Sequence, residues 1–358
     1  MHTNFDGKRI LITGGTGSLG KVLLKRLLSG KEGNPESITI FSRDEAKQHA
    51  LRLDYLHTEG NPTDEVIYNN FSRKVRFIIG DVRDYHSVLR AMKDIDIVFN
   101  AAALKQVPAC EYFPYQAVMT NIMGAENIVR AILNNNLPVE CVVGISTDKA
   151  AKPVNVMGMT KSLQERVFLS ANVDSGKTRF VLARYGNVLA SRGSVIPLFH
   201  QLIKNGKDVT ITDERMTRFL LSLEEAVDVI LFAVRHGNKG ETIIPRIPSA
   251  LVTDVAAVLI GERPIKTIVT GIRPGEKLHE ALITEEEAAR TVERAPYYVV
   301  APILPEIQVE EVMKGPFLNK EYTSADDLMT RGEVADLLKR RNLLIENQEG
   351  HHREELLR

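Results

Sequence analysis

The sequence predicts an α/β protein with a doubly wound parallel sheet and a smaller lobe towards the C-terminus. Up to residue 186, short apolar segments alternate with amphipathic ones, as buried parallel strands alternate with helices. A glycine-rich turn separates the first strand from the first helix. Residues 1–186 are therefore expected to form a dinucleotide-binding domain, and residues 187–345 mainly a substrate-binding lobe. A return of the chain to the first domain is left open, and the charged tail at 346–358 is expected to be flexible.

The elements follow from the runs and periods of apolar residues. Each expected strand is a short apolar run, and each expected helix repeats apolar residues every three or four positions. In the first domain, strands are expected at 9–12, 38–41, 75–79, 98–99, 139–145 and 180–183, and helices at 18–28, at 117–133 and from 156 onwards. In the smaller lobe, strands are expected at 209–211, 241–244 and 265–269, and helices at 224–234 and 251–259.

The composition is ordinary for a soluble globular protein. Of 358 residues, 44% are apolar and 26% charged, and the net charge is zero, so neither nucleic acid nor an anionic membrane is favoured as a partner. No apolar run approaches the roughly 20 residues of a membrane helix, and the N-terminus lacks the apolar core of a signal peptide. Cys110 and Cys141 lack CxxC spacing and suit a reducing compartment. We therefore expect a cytoplasmic protein without a metal site.

The turn after the first strand predicts a dinucleotide site. Its glycines satisfy both the Gly-x-Gly-x-x-Gly and the Gly-x-x-Gly-x-x-Gly spacings. Without Cβ atoms the backbone can turn tightly, and a pyrophosphate can approach the N–H groups of a helix N-terminus, where the helix dipole favours negative charge. The residues expected to contact the cofactor here are Gly14, Thr16, Gly17, Ser18, Leu19 and Gly20.

The residues after the second strand favour NADP over NAD. An acidic residue at this point would bind a free ribose 2′-hydroxyl, but here Arg43, with Ser42 and Lys47, can hold a 2′-phosphate. NAD remains the alternative, because Asp44 is only slightly out of register. The next two strand ends are expected to contact the adenine and then the ribose and pyrophosphate, through Asp81, Val82, Asn100, Ala101 and Ala102.

The middle of the chain carries the candidate chemistry. Ser146-Thr147-Asp148-Lys149 follows a buried strand, and open α/β sheets place their reacting groups at the carboxyl ends of strands. An acid beside an amine can supply an acid and a base to a bound substrate. Met157 and Lys161 have the spacing of a Tyr-x-x-x-Lys pair, with methionine in place of tyrosine. Because residues four apart share a helix face, both are expected to face the cofactor.

Together these motifs resemble the extended short-chain dehydrogenase/reductases, which have a Rossmann fold. Longer motifs are similar to the short bacterial UDP-N-acetylglucosamine 4,6-dehydratases of surface-polysaccharide and nonulosonic-acid synthesis, which lack a membrane region. The resemblance covers about residues 8–284. Its motifs are Ala103-Leu104-Lys105-Gln106-Val107-Pro108, Ser146-Thr147-Asp148-Lys149-Ala150-Ala151, Arg184-Tyr185-Gly186-Asn187-Val188, Thr212-Asp213, Met216-Thr217-Arg218-Phe219 and Arg273-Pro274-Gly275-Glu276-Lys277.

The resemblance implies an internal redox elimination that yields a UDP-2-acetamido-2,6-dideoxy-4-hexulose, with C5 retention or inversion left open. The cofactor takes hydride from C4 and returns it to C6, while a base removes the C5 proton and an acid protonates the leaving C6 hydroxyl. Asp148 is expected to be the acid, with a raised pKa, and Lys149 the base, with a depressed pKa. Their side chains should diverge or titrate as a coupled pair. Homo-oligomers are common in the family.

Methionine at position 157 leaves the 4-hydroxyl proton without an assigned base. A thioether does not exchange a proton in this pH range. The candidates are Thr147, a water chain ending at Lys161, or Asp148 or Lys149 acting twice. Lys161 is also expected to hold the nicotinamide ribose.

The UDP-sugar is expected to bind through polar residues of the second half. Arg218 and Arg273 are favoured for the pyrophosphate, because a planar guanidinium can bind two phosphate oxygens at once. Met216 is expected to flank uracil or, equally well, to pack in the core. The expected substrate contacts are Lys105, Met157, Asn187, Arg192, Ser194, Met216, Arg218, Arg273 and Glu276.

Two other functions stay open. A UDP-hexose 4-epimerase needs no elimination acid or base, so the Asp148-Lys149 pair and the missing tyrosine speak against it. A non-catalytic NADP-binding sensor or scaffold would explain the missing tyrosine, but it has no need of Lys149, Lys161 or the UDP-side arginines.

Overall fold

A large, mostly parallel sheet forms the centre of the computed structural model, which describes residues 5–56, 62–189, 194–310 and 314–348. The strands are β1 (Arg9–Thr13), β2 (Ser37–Ser42), β3 (Val75–Ile79), β4 (Ile97–Asn100), β5 (Cys141–Thr147), β6 (Arg179–Tyr185), β7 (Asn187–Val188), β8 (Val209–Ile211), β9 (Thr217–Leu221), β10 (Thr242–Pro245), β11 (Ser249–Leu251), β12 (Thr267–Val269), β13 (Ala281–Ile283), β14 (Thr291–Arg294), β15 (Tyr297–Val300) and β16 (Tyr322–Thr323).

The α-helices are α1 (Ser18–Leu28), α2 (Glu45–Leu56), α3 (Pro62–Lys74), α4 (Tyr85–Ala91), α5 (Val107–Tyr112), α6 (Pro114–Ala117), α7 (Gly124–Asn135), α8 (Val156–Asp174), α9 (Val195–Lys204), α10 (Leu223–His236), α11 (Val252–Ile260), α12 (Glu285–Ala288) and α13 (Arg331–Arg340). A π-helical turn lies at Val118–Met123, and short 3₁₀ turns lie at Asp148–Ala150, Pro305–Ile307 and Ile345–Gln348. No helix in the described part of the chain has both the length and the apolar character needed to cross a membrane.

The central sheet has the strand order β14–β15–β10–β6–β5–β4–β1–β2–β3 within the described ranges. Pairing is parallel from β3 to β10, and β15 and β14 add an antiparallel edge. Successive side chains of a strand face opposite sides. In β1, Ile10 and Ile12 pack in a cluster with Leu23 of α1, whereas Leu11 packs in a second cluster with Ile128 of α7. Helices therefore cover both faces, and the predicted doubly wound α/β fold is confirmed.

The two predicted elements that differ most from the structure are a helix and a strand of the first domain. The helix expected at 117–133 is divided by the π-helical turn, where the Asn121 side chain accepts a hydrogen bond from the Leu104 N–H (2.8 Å) and donates one to the Leu104 carbonyl (3.0 Å). The strand expected at 139–145 begins at Cys141 and continues to Thr147. The Val139 carbonyl instead accepts a hydrogen bond from the Thr178 hydroxyl at 2.7 Å, while β6 pairs with β5 from Cys141 to Thr147.

Residues after β6 form a smaller lobe and also extend the central sheet. The lobe contains the sheet β11–β9–β7 and the pair β12–β8. Helices α9, α11 and α13 pack around a core that includes Phe199, Val255 and Leu338. Strand β10 then pairs in parallel with β6, so the chain adds strands to the central sheet after the lobe has begun. The predicted domain boundaries stay predictions, and residues 349–358 of the predicted tail lie outside the described residues.

Candidate active site

The glycine turn has the shape that a dinucleotide requires. Gly14 has a φ of +64°, and a Cβ atom there would lie 2.8 Å from the Ala102 nitrogen and 2.9 Å from the Ala101 carbonyl. A Cβ atom on Gly20 would lie 2.5 Å from the Gly15 backbone. Helix α1 begins directly after Gly17, and no side chain caps its N-terminus. The turn thus combines close backbone packing with a helix N-terminus open to an anion, which fits a pyrophosphate.

The residues after β2 present two exposed cations, Arg43 and Lys47, of which Lys47 is closely paired with a carboxylate. The Thr16 hydroxyl donates to the Ser42 hydroxyl at 3.2 Å, which ties the glycine turn to the end of β2. Asp44 accepts from the Lys47 backbone N–H and pairs with the Lys47 ammonium at 2.6 Å. The side chain of Arg43 is 58% exposed and lies 3.9 Å from Asp81. Asp44 is therefore engaged at the start of α2, whereas Arg43 is accessible to a ligand.

Asp148 and Lys149 lie in the 3₁₀ turn that follows β5. The Asp148 side chain is fully buried, and its Oδ1 accepts hydrogen bonds from the Thr147 hydroxyl at 2.9 Å and from the Lys149 ammonium at 3.0 Å. The ammonium also donates to Asn187 Oδ1 at 3.2 Å. Gly158 lets α8 approach this turn, since a Cβ atom there would lie 2.3 Å from the Lys149 carbonyl oxygen. The acid and the amine are in direct contact, as expected of a coupled pair.

Glu280 completes this group, and the sequence did not reveal it. Its side chain is 3% exposed, and Oε1 lies 3.4 Å from the Lys149 ammonium. The Lys277 ammonium lies 3.6 Å from Oε2. A single glutamate before a short apolar strand has no distinctive sequence signal. The one indication was its position just after the Arg273-Pro274-Gly275-Glu276-Lys277 motif.

The protonation behaviour of the pair agrees with the expectation for Asp148 and contradicts it for Lys149. Burial raises the pKa of Asp148 despite the opposing charge of Lys149. Burial alone would lower the pKa of Lys149, but Asp148 and Glu280 together raise it above its ordinary value. The predicted depressed pKa of Lys149 is therefore wrong for the ligand-free protein. The physical reason is that the fold adds a second carboxylate to the one that the sequence places beside the amine.

Met157 and Lys161 lie on α8 with different surroundings. Met157 is buried against Cys110 and Ala117. The Lys161 ammonium donates to the Ile145 carbonyl and to Gln164 Oε1, the latter at 2.7 Å. Burial lowers the pKa of Lys161 to about 8. Methionine thus fills an apolar space, and the lysine lies close to the backbone of the reacting strand.

A buried ionic group beside β5 connects five elements. Arg184 of β6 pairs with Glu165 of α8 at 2.6 Å and with Glu287 of α12 at 2.7 Å. The Ser146 hydroxyl of β5 donates to Glu165, and the Arg184 guanidinium also donates to the Leu282 carbonyl at 2.9 Å. Arg184 was part of a motif that resembled the dehydratases, and its contacts in this structure are within the protein.

The expected substrate residues divide into several groups. Asn187 contacts Lys149, and Arg218 donates to the carbonyls of Thr217, Lys277 and Leu278, close to the acid–amine group. Arg273 and Lys105 are exposed, Glu276 accepts from the Arg273 backbone N–H, and Ser194 precedes α9. Met216 is buried in the core of the smaller lobe, which agrees with the packing alternative. Arg192 lies outside the described residues.

Comparisons with known proteins agree on a family. The model of a family described as polysaccharide biosynthesis protein matches residues 10–302. A curated protein of Rickettsia bellii (strain OSU 85-389), named UDP-glucose 4-epimerase, is 45% identical over 300 residues, which are 82% of this chain and 83% of that protein.

Two solved structures resemble the chain to different degrees. Pen from Bacillus thuringiensis is 34% identical with a TM-score of 0.83, and the match covers 96% of this chain and 100% of that chain. DesIV, a dTDP-glucose 4,6-dehydratase from Streptomyces venezuelae solved with NAD bound, is 19% identical with a TM-score of 0.61, over 75% of this chain and 86% of that chain. The second likeness concerns the fold alone.

Proposed function

Because this chain belongs to the polysaccharide biosynthesis protein family, we propose that it is a nucleotide-sugar 4,6-dehydratase acting on UDP-N-acetylglucosamine. The observation that carries the proposal is the buried carboxyl of Asp148 in contact with Lys149 at the end of β5. An elimination of water needs an acid and a base within reach of adjacent carbons, and this pair provides both.

The residues would divide the reaction as follows. A nicotinamide dinucleotide, bound at the glycine turn, supplies the hydride exchange with C4 and C6. Asp148 gives its proton to the C6 hydroxyl, which leaves as water, while Lys149 takes the C5 proton and a C5–C6 double bond forms. Lys149 returns a proton to C5 after the reduction at C6. The proton released from the 4-hydroxyl replaces the one that Asp148 lost, so protons balance over the cycle.

Lys161, reached through water, is our proposal for the first acceptor of the 4-hydroxyl proton, because burial lowers its pKa to about 8 and makes the neutral amine accessible. Met157 offers no exchangeable proton. The Thr147 hydroxyl cannot hold a second proton, but it donates to Asp148 at 2.9 Å and can relay this proton to Asp148 once the elimination has ionised that carboxyl.

The second candidate is a UDP-hexose 4-epimerase, the activity named for the curated rickettsial relative. An epimerase oxidises and reduces at C4 alone and leaves the C6 hydroxyl in place. The fully buried acid beside Lys149 has no role in that reaction, and for this reason we prefer the dehydratase.

One experiment separates these functions. Purified protein with the dinucleotide is incubated with UDP-N-acetylglucosamine, and in parallel with UDP-glucose, in deuterated water and followed by proton NMR. A 4-keto-6-deoxy product with deuterium at C5 is expected from UDP-N-acetylglucosamine, and its ring couplings report retention or inversion at C5. A C4 epimer that keeps its C6 hydroxyl would establish the epimerase instead. Bound cofactor with both sugars unchanged would favour a sensor or scaffold.

We also propose NADP as the cofactor, held at its 2′-phosphate by Arg43. Replacement of Arg43 with alanine is expected to weaken NADP binding by about 10- to 100-fold and to leave NAD binding almost unchanged, since a hydrogen bond to a charged group contributes about 1.5–3 kcal/mol. Titration of both dinucleotides by fluorescence or calorimetry measures this. The exposed Arg73 of α3, replaced with alanine, is the matched control. Equal loss of NADP and NAD affinity would contradict the assignment.

A further inference from the structure

We propose that Glu280 is a positioning residue of the elimination: as the ionised counter-ion of Lys149, it leaves a proton on Asp148. The role in catalysis rests on the proposed dehydratase function. The proposed protonation of Asp148 and Glu280 does not depend on that function, because it can be measured in the ligand-free protein.

The contacts of the two carboxyl groups are unequal. The Lys149 ammonium lies 3.0 Å from Asp148 Oδ1 and 3.4 Å from Glu280 Oε1, so a single cation contacts both. Neither Asp148 Oδ2 nor Glu280 Oε2 has a hydrogen-bond partner among the described residues. However, Glu280 Oε2 has the Lys277 ammonium at 3.6 Å. Because a buried charge without a close counter-charge is costly, the carboxyl with two ammonium neighbours is the one that holds the negative charge.

The Thr147 hydroxyl donates to Asp148 Oδ1 and so favours the ionised form of Asp148, but the groups on the Glu280 side favour a charge on Glu280. Arg218 from β9 lies on the Glu280 side, where it donates to the Lys277 carbonyl at 3.1 Å, and Asn187 from β7 contacts Lys149. Burial would raise the pKa of Glu280, but Lys149, Arg218 and Lys277 lower it below its ordinary value. For the fully buried Asp148, burial dominates and raises the pKa.

Contacts with Ser324, which are continued to Thr217 of β9, hold the backbone of Glu280 in this place. Its backbone N–H donates to the Ser324 hydroxyl at 2.9 Å, and its carbonyl accepts from the Ser324 N–H at 2.8 Å. The Ser324 hydroxyl also contacts the Thr217 hydroxyl at 2.7 Å. Ser324, which follows β16, is fully buried, and Glu280 directly precedes β13. The backbone that carries the Glu280 carboxylate is thus held close to Lys149 independently of any ligand.

This arrangement gives each of the three side chains a defined protonation state. In the resting protein Asp148 is a neutral acid, Lys149 an ammonium and Glu280 a carboxylate. When a sugar covers the exposed 21% of the Lys149 side chain, further loss of water favours the neutral forms, and Lys149 can pass its proton to Glu280. The free amine then takes the C5 proton as Asp148 protonates the departing hydroxyl. The net charge of the three side chains is the same before and after the elimination.

The test uses infrared spectroscopy of the ligand-free full chain, labelled with ¹³C at the aspartate side-chain carboxyl. Ordinary aspartates have a pKa of about 3.9, so a carboxylic-acid C=O band at neutral pH identifies an unusual aspartate. The band is expected in the wild type and in Glu280→Asp, which keeps the charge. It is expected to be lost in Asp148→Asn, which assigns it, and in Glu280→Gln, where Asp148 becomes the counter-ion of Lys149 and ionises.

Activity provides a second readout. Glu280→Gln is expected to lower kcat for dehydration by about 10²-fold, with KM little changed, and to move the high-pH loss of activity to lower pH. Glu280→Asp should recover most of the rate. An aspartic-acid band that persists in Glu280→Gln, or that is missing from the wild type, would overturn the proposal. If the wild type proves to be an epimerase, the proposed function fails while the infrared result still decides the protonation.

Discussion

Replacing Lys149 with alanine is expected to lower the rate of dehydration by about 10²- to 10⁴-fold, the usual contribution of a positioned acid–base group. The dinucleotide should stay bound, because the glycine turn and the end of β2 do not contact Lys149. The variant should also remain folded, since Asp148 is neutral in our scheme and Glu280 keeps the Lys277 ammonium at 3.6 Å. Product formation by NMR and cofactor binding by fluorescence measure the two effects separately.

Lys152→Ala is the matched control for this variant. Lys152 follows Lys149 in the same segment, and its half-exposed ammonium pairs with Glu321. Its loss should leave the rate of dehydration near that of the wild type. Unimpaired turnover by Lys149→Ala would remove the lysine from the reaction and would leave Glu280 or Asp148 as the base.

Replacing Arg184 with leucine is expected to lower the free energy of unfolding at neutral pH by about 3–5 kcal/mol, because it leaves the charges of Glu165 and Glu287 buried without their partner. These pairs lie at 2.6 and 2.7 Å, with the guanidinium 3% exposed. Denaturant unfolding of the wild type and the variant measures the difference. Arg331→Leu removes an arginine that is 67% exposed, and it should cost no more than about 1 kcal/mol.

The pH dependence distinguishes lost charge pairing from lost packing. Burial would raise the pKa of Glu287, but Arg184 lowers it from an ordinary 4.5 to about 2. In the wild type this group therefore contributes its full stability above pH 4.5 and loses it as pH falls towards 2. Without Arg184, burial raises the carboxyl pKa, so protonation should stabilise the variant as pH falls from neutral. The difference between the two proteins should shrink towards pH 5, and a constant difference would indicate a packing effect.

Much of the fold could be predicted because the sequence patterns of strands and helices involve neighbouring residues. A buried parallel strand is a continuous apolar run, and the helices beside it repeat their apolar residues along one face, so β1 to β6 and α1 were recognised close to their observed bounds. The boundaries that were missed depended on distant partners. Thr178 binds the Val139 carbonyl and shortens the start of β5, and Asn121 binds Leu104 where the continuous helix was expected.

In the candidate site, too, some features could be predicted from local sequence and others depend on distant residues. The sequence by itself determined the glycine turn, the position of Asp148 and Lys149 after a central strand, and the replacement of a tyrosine by Met157, because each is a motif of neighbouring residues. Only the tertiary structure decided that Glu280 contacts Lys149 and that Arg184 pairs with Glu287, 103 residues further along the chain. It also decided the direction of the Lys149 pKa shift. A pKa depends on burial and on every nearby charge, and those charges come together only when strands from distant parts of the chain pair and pack.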